Sequence, residues 1–246
     1  MVDLLQYAYC YCEENTYMCL EKVRELPDLF DCSYAIFMSS FVCDPSQEVC
    51  NQWTSAVPYR SFKSPDPSID LVIWDYHVVA VVRFKESGKW FVIDRDSSLP
   101  SSKESILGDW CKYCVDLDVY CSNALFPERS LAVPYASRVQ LLMDAVRYRI
   151  ITGDEFLCFF RSDRSHMIDS SGKYLQEPPS WPPIKDFPSW IGPTKREKVQ
   201  AVLKSLSPFC QHNNITCLIN MANTVVPGTV VSRHSLLDFF SLDSAN

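Results

Sequence analysis

LVIWDYHVVAVVRF, residues 71–84, is followed by the turn residues Glu86-Ser87-Gly88-Lys89 and then by WFVI at 90–93. The first string is apolar and β-branched enough for the middle of a buried sheet, and the second is apolar again. Together they predict an antiparallel hairpin with arms at 71–84 and 90–94. The first arm also holds Asp75 and His77, and a buried polar group is costly unless something pairs with it. In a continuous strand Trp74, Tyr76, Val78 and Ala80 share one face, while Ile73, Asp75, His77, Val79 and Val81 share the other. Asp75 and His77 then project from the same side, and the return arm brings Asp94 and Asp96 back near His77, with Asp94 by count a few positions off direct opposition.

Working outward, residues 12–26 (CEENTYMCLEKVREL) carry a helical stripe of Cys12, Thr16, Cys19, Leu20, Val23 and Leu26. Glu13 and Glu14 fall in its first turn, where acidic residues favour a helix N-terminus, and the stripe turns them away from the Cys12 sulfur. Pro27 ends the element. Residues 33–38 read as a short strand and 43–67 as a long loop. Residues 135–149 read as a helix, 155–160 (EFLCFF) as a strand and 177–193 as a rigid Pro- and Trp-rich loop. SLLDFFSL near the end reads as a short docking helix. No repeat and no domain boundary is visible, so 1–246 reads as one domain.

The bulk numbers narrow the classes. A chain of 246 residues, 47% hydrophobic, with only 6 glycines, has enough apolar surface to fold. A net charge of −7 argues against nucleic acid or an anionic membrane surface as partner. No apolar run is long enough to span a bilayer, and MVDLLQYAYC lacks the basic and apolar regions of a signal peptide. The twelve cysteines therefore read as thiols of a soluble intracellular protein, cytoplasmic and also nuclear. On that reading the sequon Asn214-Ile215-Thr216 carries no glycan.

A nucleophilic cysteine needs a lowered pKa, a base within reach and a group that orients the base. Cys12 opens a helix, where the dipole and free N–H groups favour a thiolate and can hold an oxyanion. His77 offers a base on a rigid strand, and a carboxylate on the return arm can hold its second N–H. Spacing alone leaves open that His77 is a satisfied core histidine and Cys12 a small hydrophobe.

CYCEEN at 10–15, YAIFMSS at 34–40, VIWDYHVV at 72–79, FVIDRDSSLP at 91–100, SDRSHMIDSSG at 162–172 and EPP at 177–179 resemble, in this order, the protein N-terminal glutamine amidohydrolase family. The resemblance implies an α+β (α/β) papain- and transglutaminase-like cysteine hydrolase core. That core has an antiparallel sheet, an N-terminal nucleophile helix and flanking helices. It implies hydrolysis of the side-chain amide of an N-terminal Gln to Glu, a step of N-degron processing, through a Cys-His-Asp triad. By matching motif the nucleophile is Cys12, the base His77 and the orienting carboxylate Asp94, with no metal or organic cofactor. The partners implied are proteins or peptides with a free N-terminal Gln, and an arginyl-transferase of the same pathway; the chain is read as a monomer. Segments 43–70, 101–135 and 185–230 depart from the family pattern and read as insertions.

Substrate contacts are assigned from position. Asp75 is the first candidate for the substrate ammonium, with structural support of the site as its other reading. Ser39, at the end of its strand, is a candidate contact. Arg164, Ser165 and His166 shape the pocket or brace a loop, and His166 is the rival to His77 as base. Other functions stay open. Trp110-Cys111-Lys112-Tyr113-Cys114 looks like the WCxxC of thiol-disulfide oxidoreductases, although a strand-like pattern and not a helix follows it. Cys111, Cys114 and Cys121 lack a fourth zinc ligand at a usual spacing. A non-catalytic binder of N-terminal residues would keep the same pocket. A papain-like peptidase or transglutaminase would place its histidine much farther from the cysteine.

Overall fold

The computed structural model describes residues 6–42, 55–65, 70–102, 113–123 and 133–243. In chain order the elements are α1 (Cys12–Arg24), β1 (Phe30–Ser39), β2 (Val57–Arg60), β3 (Leu71–Trp74), β4 (His77–Phe84), β5 (Trp90–Ile93) and β6 (Cys114–Asp116). They continue with α2 (Leu117–Asn123), α3 (Val133–Ala145), β7 (Arg147–Thr152), α4 (Gly153–Phe159), α5 (Pro193–Ser205), α6 (Pro208–His212), α7 (Ile215–Ile219), β8 (Thr229–Ser232) and α8 (Leu236–Asp243). Six strands form an antiparallel sheet in the order β6-β5-β4-β1-β7-β8, and β2 pairs with β3 in a separate antiparallel ribbon.

Helices cover both faces of the sheet. Ala35, Phe37, Val78, Ala80 and Val82 pack toward Tyr17, Leu20 and Val23 of α1, Phe156 and Leu157 of α4, and Ile215 and Leu218 of α7. Ile36, Met38, Val79, Val81 and Ile150 pack toward Tyr59, Val139 and Met143 of α3, and Leu236 and Phe240 of α8. The period-2 alternation of β1 and β4 thus serves two cores, which explains why their strings are nearly all apolar. The 185–230 stretch supplies α5, α6 and α7. Arg149, buried in β7, pins the end of α7 and the turn after it by donating to the carbonyls of Leu218 (2.9 Å), Asn220 (2.9 Å) and Asn223 (2.7 Å).

The hairpin is present but shorter than the pattern predicts. Asp75 and Tyr76 interrupt it, so β3 leaves the main sheet and β4 begins at His77, opposite Met38. Beyond the turn, where Gly88 takes φ +65°, Ala80 faces Ile93 and Val81 faces Val92. The break also ends the simple alternation. Trp74 lies on the side of His77, their rings 4.5 Å apart, while Tyr76 joins the α1 core.

Three further expectations are corrected. Residues 155–160 lie mostly in helix α4, because a six-residue apolar run fits a buried helix turn as well as a strand. The 135–149 helix stops at Ala145, and 147–152 is strand β7 in the middle of the sheet. The 43–67 loop contains strand β2, whose Val57 and Tyr59 are buried. Residues 177–192 hold no helix or strand, as expected, and α8 occupies the place of the C-terminal docking helix.

Candidate active site

Cys12 is the first residue of α1, and its placement begins with the residues before it. Cys10 takes a positive φ of 63°, turning the chain into the helix, and Tyr11 is wholly buried. Asn15 ties this lead-in down: its side chain accepts from the Ala8 N–H (2.8 Å) and donates to the Ala8 carbonyl (2.8 Å). One turn on, Thr16 Oγ1 donates to the carbonyl of Val78 (3.2 Å), so the start of α1 is bonded to the start of β4. Cys12, Asn15, Thr16, His77, Asp94, Arg95 and Asp96 line one small cavity that opens to solvent.

His77 Nε2 lies 3.0 Å from Asp94 Oδ2, with both side chains almost fully buried. Asp94 also accepts a hydrogen bond from the Tyr59 hydroxyl, and its Oδ1 accepts the Asp96 N–H (2.8 Å). Burial works to raise the Asp94 pKa, but the His77 imidazole and the bonds from Tyr59 and Asp96 outweigh it and hold the carboxyl below its ordinary range. The His77 ring is flanked by Trp74 and Tyr59, with centroids 4.5 and 4.7 Å away. With Nε2 committed to Asp94, Nδ1 is the nitrogen left to exchange a proton.

The sulfur's surroundings overturn one expectation. Glu13 and Glu14 do not turn away into solvent; both are wholly buried. Glu13 Oε2 lies 3.5 Å from Cys12 Sγ, where it accepts the S–H. Burial first, then the Glu13 and Asp96 carboxylates, push the Cys12 thiol well above the ordinary value, against a Val78 backbone hydrogen bond acting the other way. Cys12 is therefore held as a thiol, where the helix terminus alone favours a thiolate.

Glu13 and Glu14 organise the rest of the site. Glu13 Oε1 lies 3.1 Å from His166 Nε2. Glu14 accepts from Arg164 Nη2 (2.8 Å) and Nε (3.0 Å), Ser162 Oγ (2.9 Å) and Trp181 Nε1 (2.8 Å). Arg164 in turn donates to the Trp181 carbonyl (2.8 Å), which docks the Pro- and Trp-rich loop onto the start of α1. His166 thus meets the carboxylate beside the sulfur.

The other sequence candidates part from the cavity. Asp75 is exposed and not on its wall, and Oδ1 accepts the Tyr76 N–H (3.0 Å). Ser39 is wholly buried, and Oγ bonds Ser55 Oγ (3.2 Å) and the Phe41 N–H (2.9 Å), bracing the chain after β1. Ser165 Oγ accepts from Asn213 Nδ2 (3.2 Å). Missed by sequence reasoning are Tyr59, Glu13 and Asn213. A lone Tyr in an unpatterned stretch carries no signal, and the partners of Glu13 and Asn213 lie far away in the chain.

Ligand atoms of His77, Asp94 and Asp96 lie within 4.8 Å of one another, which is a metal-like grouping. Its charges are already answered. Asp96 Oδ1 pairs with Lys63 Nζ (2.7 Å) and accepts from the Tyr7 hydroxyl (2.5 Å), so a cation here would have to displace an ammonium group. It is the one such cluster among the described residues, and Cys114 and Cys121 form none. Cys111, and with it the WCxxC reading, lies outside the described residues. The described cysteines are all free thiols, and no described helix is long and apolar enough to cross a membrane.

A mixed α/β protein with a mostly antiparallel sheet thus brings a cysteine and a carboxylate-held imidazole to one cavity. Comparison with known proteins places it more closely. The model of the N-terminal glutamine amidase family matches residues 7–240. Relatives named protein N-terminal glutamine amidohydrolase include one from Caenorhabditis elegans, 26% identical over 235 residues, covering 96% of this chain and 95% of the relative. One from Danio rerio is 31% identical over 179 residues, 72% of this chain and 70% of the relative. One from Homo sapiens is 29% identical over 185 residues, 74% and 73% respectively. The chain belongs to the N-terminal glutamine amidase family.

Proposed function

We propose that this protein hydrolyses the side-chain amide of an N-terminal glutamine to glutamate and ammonia, with Cys12 as nucleophile, His77 as base and Asp94 as the group that orients it. The observation that carries the reading is the cavity shared by Cys12, His77 and Asp94, with His77 Nε2 3.0 Å from Asp94 Oδ2, in a chain of this family. As the substrate carbonyl is attacked, the Cys12 proton passes to His77 Nδ1 and the S–C bond forms. The Cys12 backbone N–H, free at the helix start, donates to the developing oxyanion. His77 returns the proton to the departing nitrogen, ammonia leaves and a thioester remains. Water, deprotonated by His77, then cleaves the thioester to glutamate and restores the thiol. Glutamine reaches the sulfur where asparagine, one methylene shorter, stops short.

On this reading 1–246 is a single catalytic domain with a papain- and transglutaminase-like core. Its two apolar clusters share one sheet, which supports a single unit. It works as a monomer in the cytoplasm and nucleus, in the N-degron pathway, upstream of an arginyl-transferase. Asp75 and Ser39 are left without a substrate role, and His166 acts through Glu13.

The test is ammonia release from peptides beginning with Gln, Asn or acetyl-Gln. Turnover is expected for free Gln alone, lost in Cys12→Ala and retained in Cys10→Ser, since Cys10 is exposed and absent from the cavity wall. Full activity in Cys12→Ala would end the proposal, and binding of Gln peptides without ammonia release would make the protein a non-catalytic binder.

A further inference from the structure

A second imidazole–carboxylate pair touches Cys12, and the reaction above does not use it. Glu13 follows the cysteine in the first turn of α1 with its carboxylate wholly buried. Its oxygens face different partners. Oε2 accepts the Cys12 S–H at 3.5 Å and the Tyr76 O–H at 3.2 Å, while Oε1 faces His166 Nε2 at 3.1 Å. The other nitrogen of His166 lies 2.9 Å from Asn213 Nδ2. That amide is turned so that Nδ2 also faces Asp163 Oδ1 (3.3 Å) and Ser165 Oγ (3.2 Å). An N–H donor facing Nδ1 makes Nδ1 the acceptor, so Nε2 carries the proton that His166 donates to Glu13.

This geometry has a chemical consequence. A thiol has one proton, and here it is given to a carboxylate and not to His77. Glu13 cannot swing away without leaving Tyr76 and His166 unpaired in a buried place. We infer that Glu13, held by Tyr76 and His166, is a positioning residue that keeps the resting proton on the Cys12 sulfur until His77 takes it during attack. The inference rests on Cys12 being the nucleophile. Its result is a sulfur that is slow toward adventitious electrophiles, because the thiolate is the reactive form. The charged and titratable groups around that sulfur are Tyr7 ahead of α1, Glu13 and Cys19 on α1, Tyr76 before β4, His77 at the start of β4, and Asp94, Arg95 and Asp96 after β5. Lys63, after β2, pairs with Asp96, and His166 stands behind Glu13.

The test is the pH dependence of Cys12 alkylation by iodoacetamide in the full-length protein, followed by mass spectrometry of the Cys12 peptide. In that reaction an S–C bond forms, iodide leaves with the electron pair of the C–I bond, and the thiol proton goes to solvent. Glu13→Gln is expected to speed alkylation at neutral pH roughly tenfold or more and to move the profile to lower pH, since a like charge within bonding distance is gone. Tyr76→Phe is expected to do the opposite, slowing alkylation roughly threefold, because the carboxylate loses one donor and leans harder on the S–H.

A structural role alone does not give opposite signs. A folded Glu13→Gln protein that alkylates at the wild-type rate or slower overturns the inference, as does a shift of both variants in one direction. If Glu13→Gln does not fold, Tyr76→Phe decides alone, and an unchanged or faster rate overturns it. Ammonia release by Cys12→Ala would instead overturn the assignment of the nucleophile, so the two failures are separate.

Discussion

Replacing Asp94 with Asn changes one oxygen to NH₂, and the structure says which one. Oδ1 accepts the Asp96 N–H at 2.8 Å, so the amide oxygen must stay there or face a donor. The NH₂ group then takes the place of Oδ2, which now lies 3.0 Å from His77 Nε2 and accepts the Tyr59 hydroxyl. His77 Nε2 must become an acceptor, and its proton moves to Nδ1, the nitrogen that receives the Cys12 proton in the proposed mechanism. The base is blocked while the fold is kept. In a serine hydrolase triad the same carboxylate-to-amide change traps the wrong tautomer and costs about 10⁴ in kcat. A similar loss is expected here, about 5 kcal/mol of transition-state stabilisation at about 1.4 kcal/mol per factor of ten. The assay is ammonia release from a Gln-initiated peptide, with the tautomer of His77 read independently from its ¹⁵N shifts. A folded Asp94→Asn protein keeping more than a tenth of wild-type kcat, or one whose His77 proton stays on Nε2, would refute the reasoning.

Two further outcomes rest on buried charges. Arg164→Met leaves the Glu14 carboxylate with only Ser162 and Trp181 as donors, and is expected to cost about 3–5 kcal/mol in urea unfolding, part of it recovered by adding Glu14→Gln; a loss below about 1 kcal/mol would contradict the pairing. Asp94 holds its proton less tightly folded than unfolded, so its stabilisation is complete above the unfolded value of about 4 and is lost as pH falls through the lower folded value. Wild type should therefore exceed Asp94→Asn in stability by a constant margin just above that range, and the margin should close on further acidification; a margin that grows toward acid would be the wrong sign.

Much of the site was legible because its motifs are local. The alternation of VVAVVRF and WFVI around a Gly-bearing turn defines a hairpin, and His77 and Asp94 stand at its ends, 17 positions apart. Cys12 was legible as a helix start from acidic first-turn residues and an apolar stripe. Errors fell where a local pattern serves two geometries. EFLCFF has too few residues for its period to separate strand from buried helix. VRYR at 146–149 reads as the end of a helix because Val146 continues the apolar stripe of Val139, Leu142 and Met143, yet Arg149 is buried in β7 against carbonyls some 70 positions away.

Local patterns along the chain suffice for the secondary elements with a strong period, for a cysteine, a histidine and a carboxylate in separable motifs, and for the family to which those motifs belong. Which charges are buried, and what they face, depends on segments that meet only in the folded chain. Helical periodicity sends Glu13 and Glu14 outward, because a period reports only neighbours one turn away. Their partners His166 and Arg164 arrive 153 and 150 positions later, and a carboxylate that finds such partners is held inside the protein instead of in water. For the same reason the protonation of Cys12 cannot be read from the helix that carries it: the groups that set it come together only when the sheet closes beneath that helix.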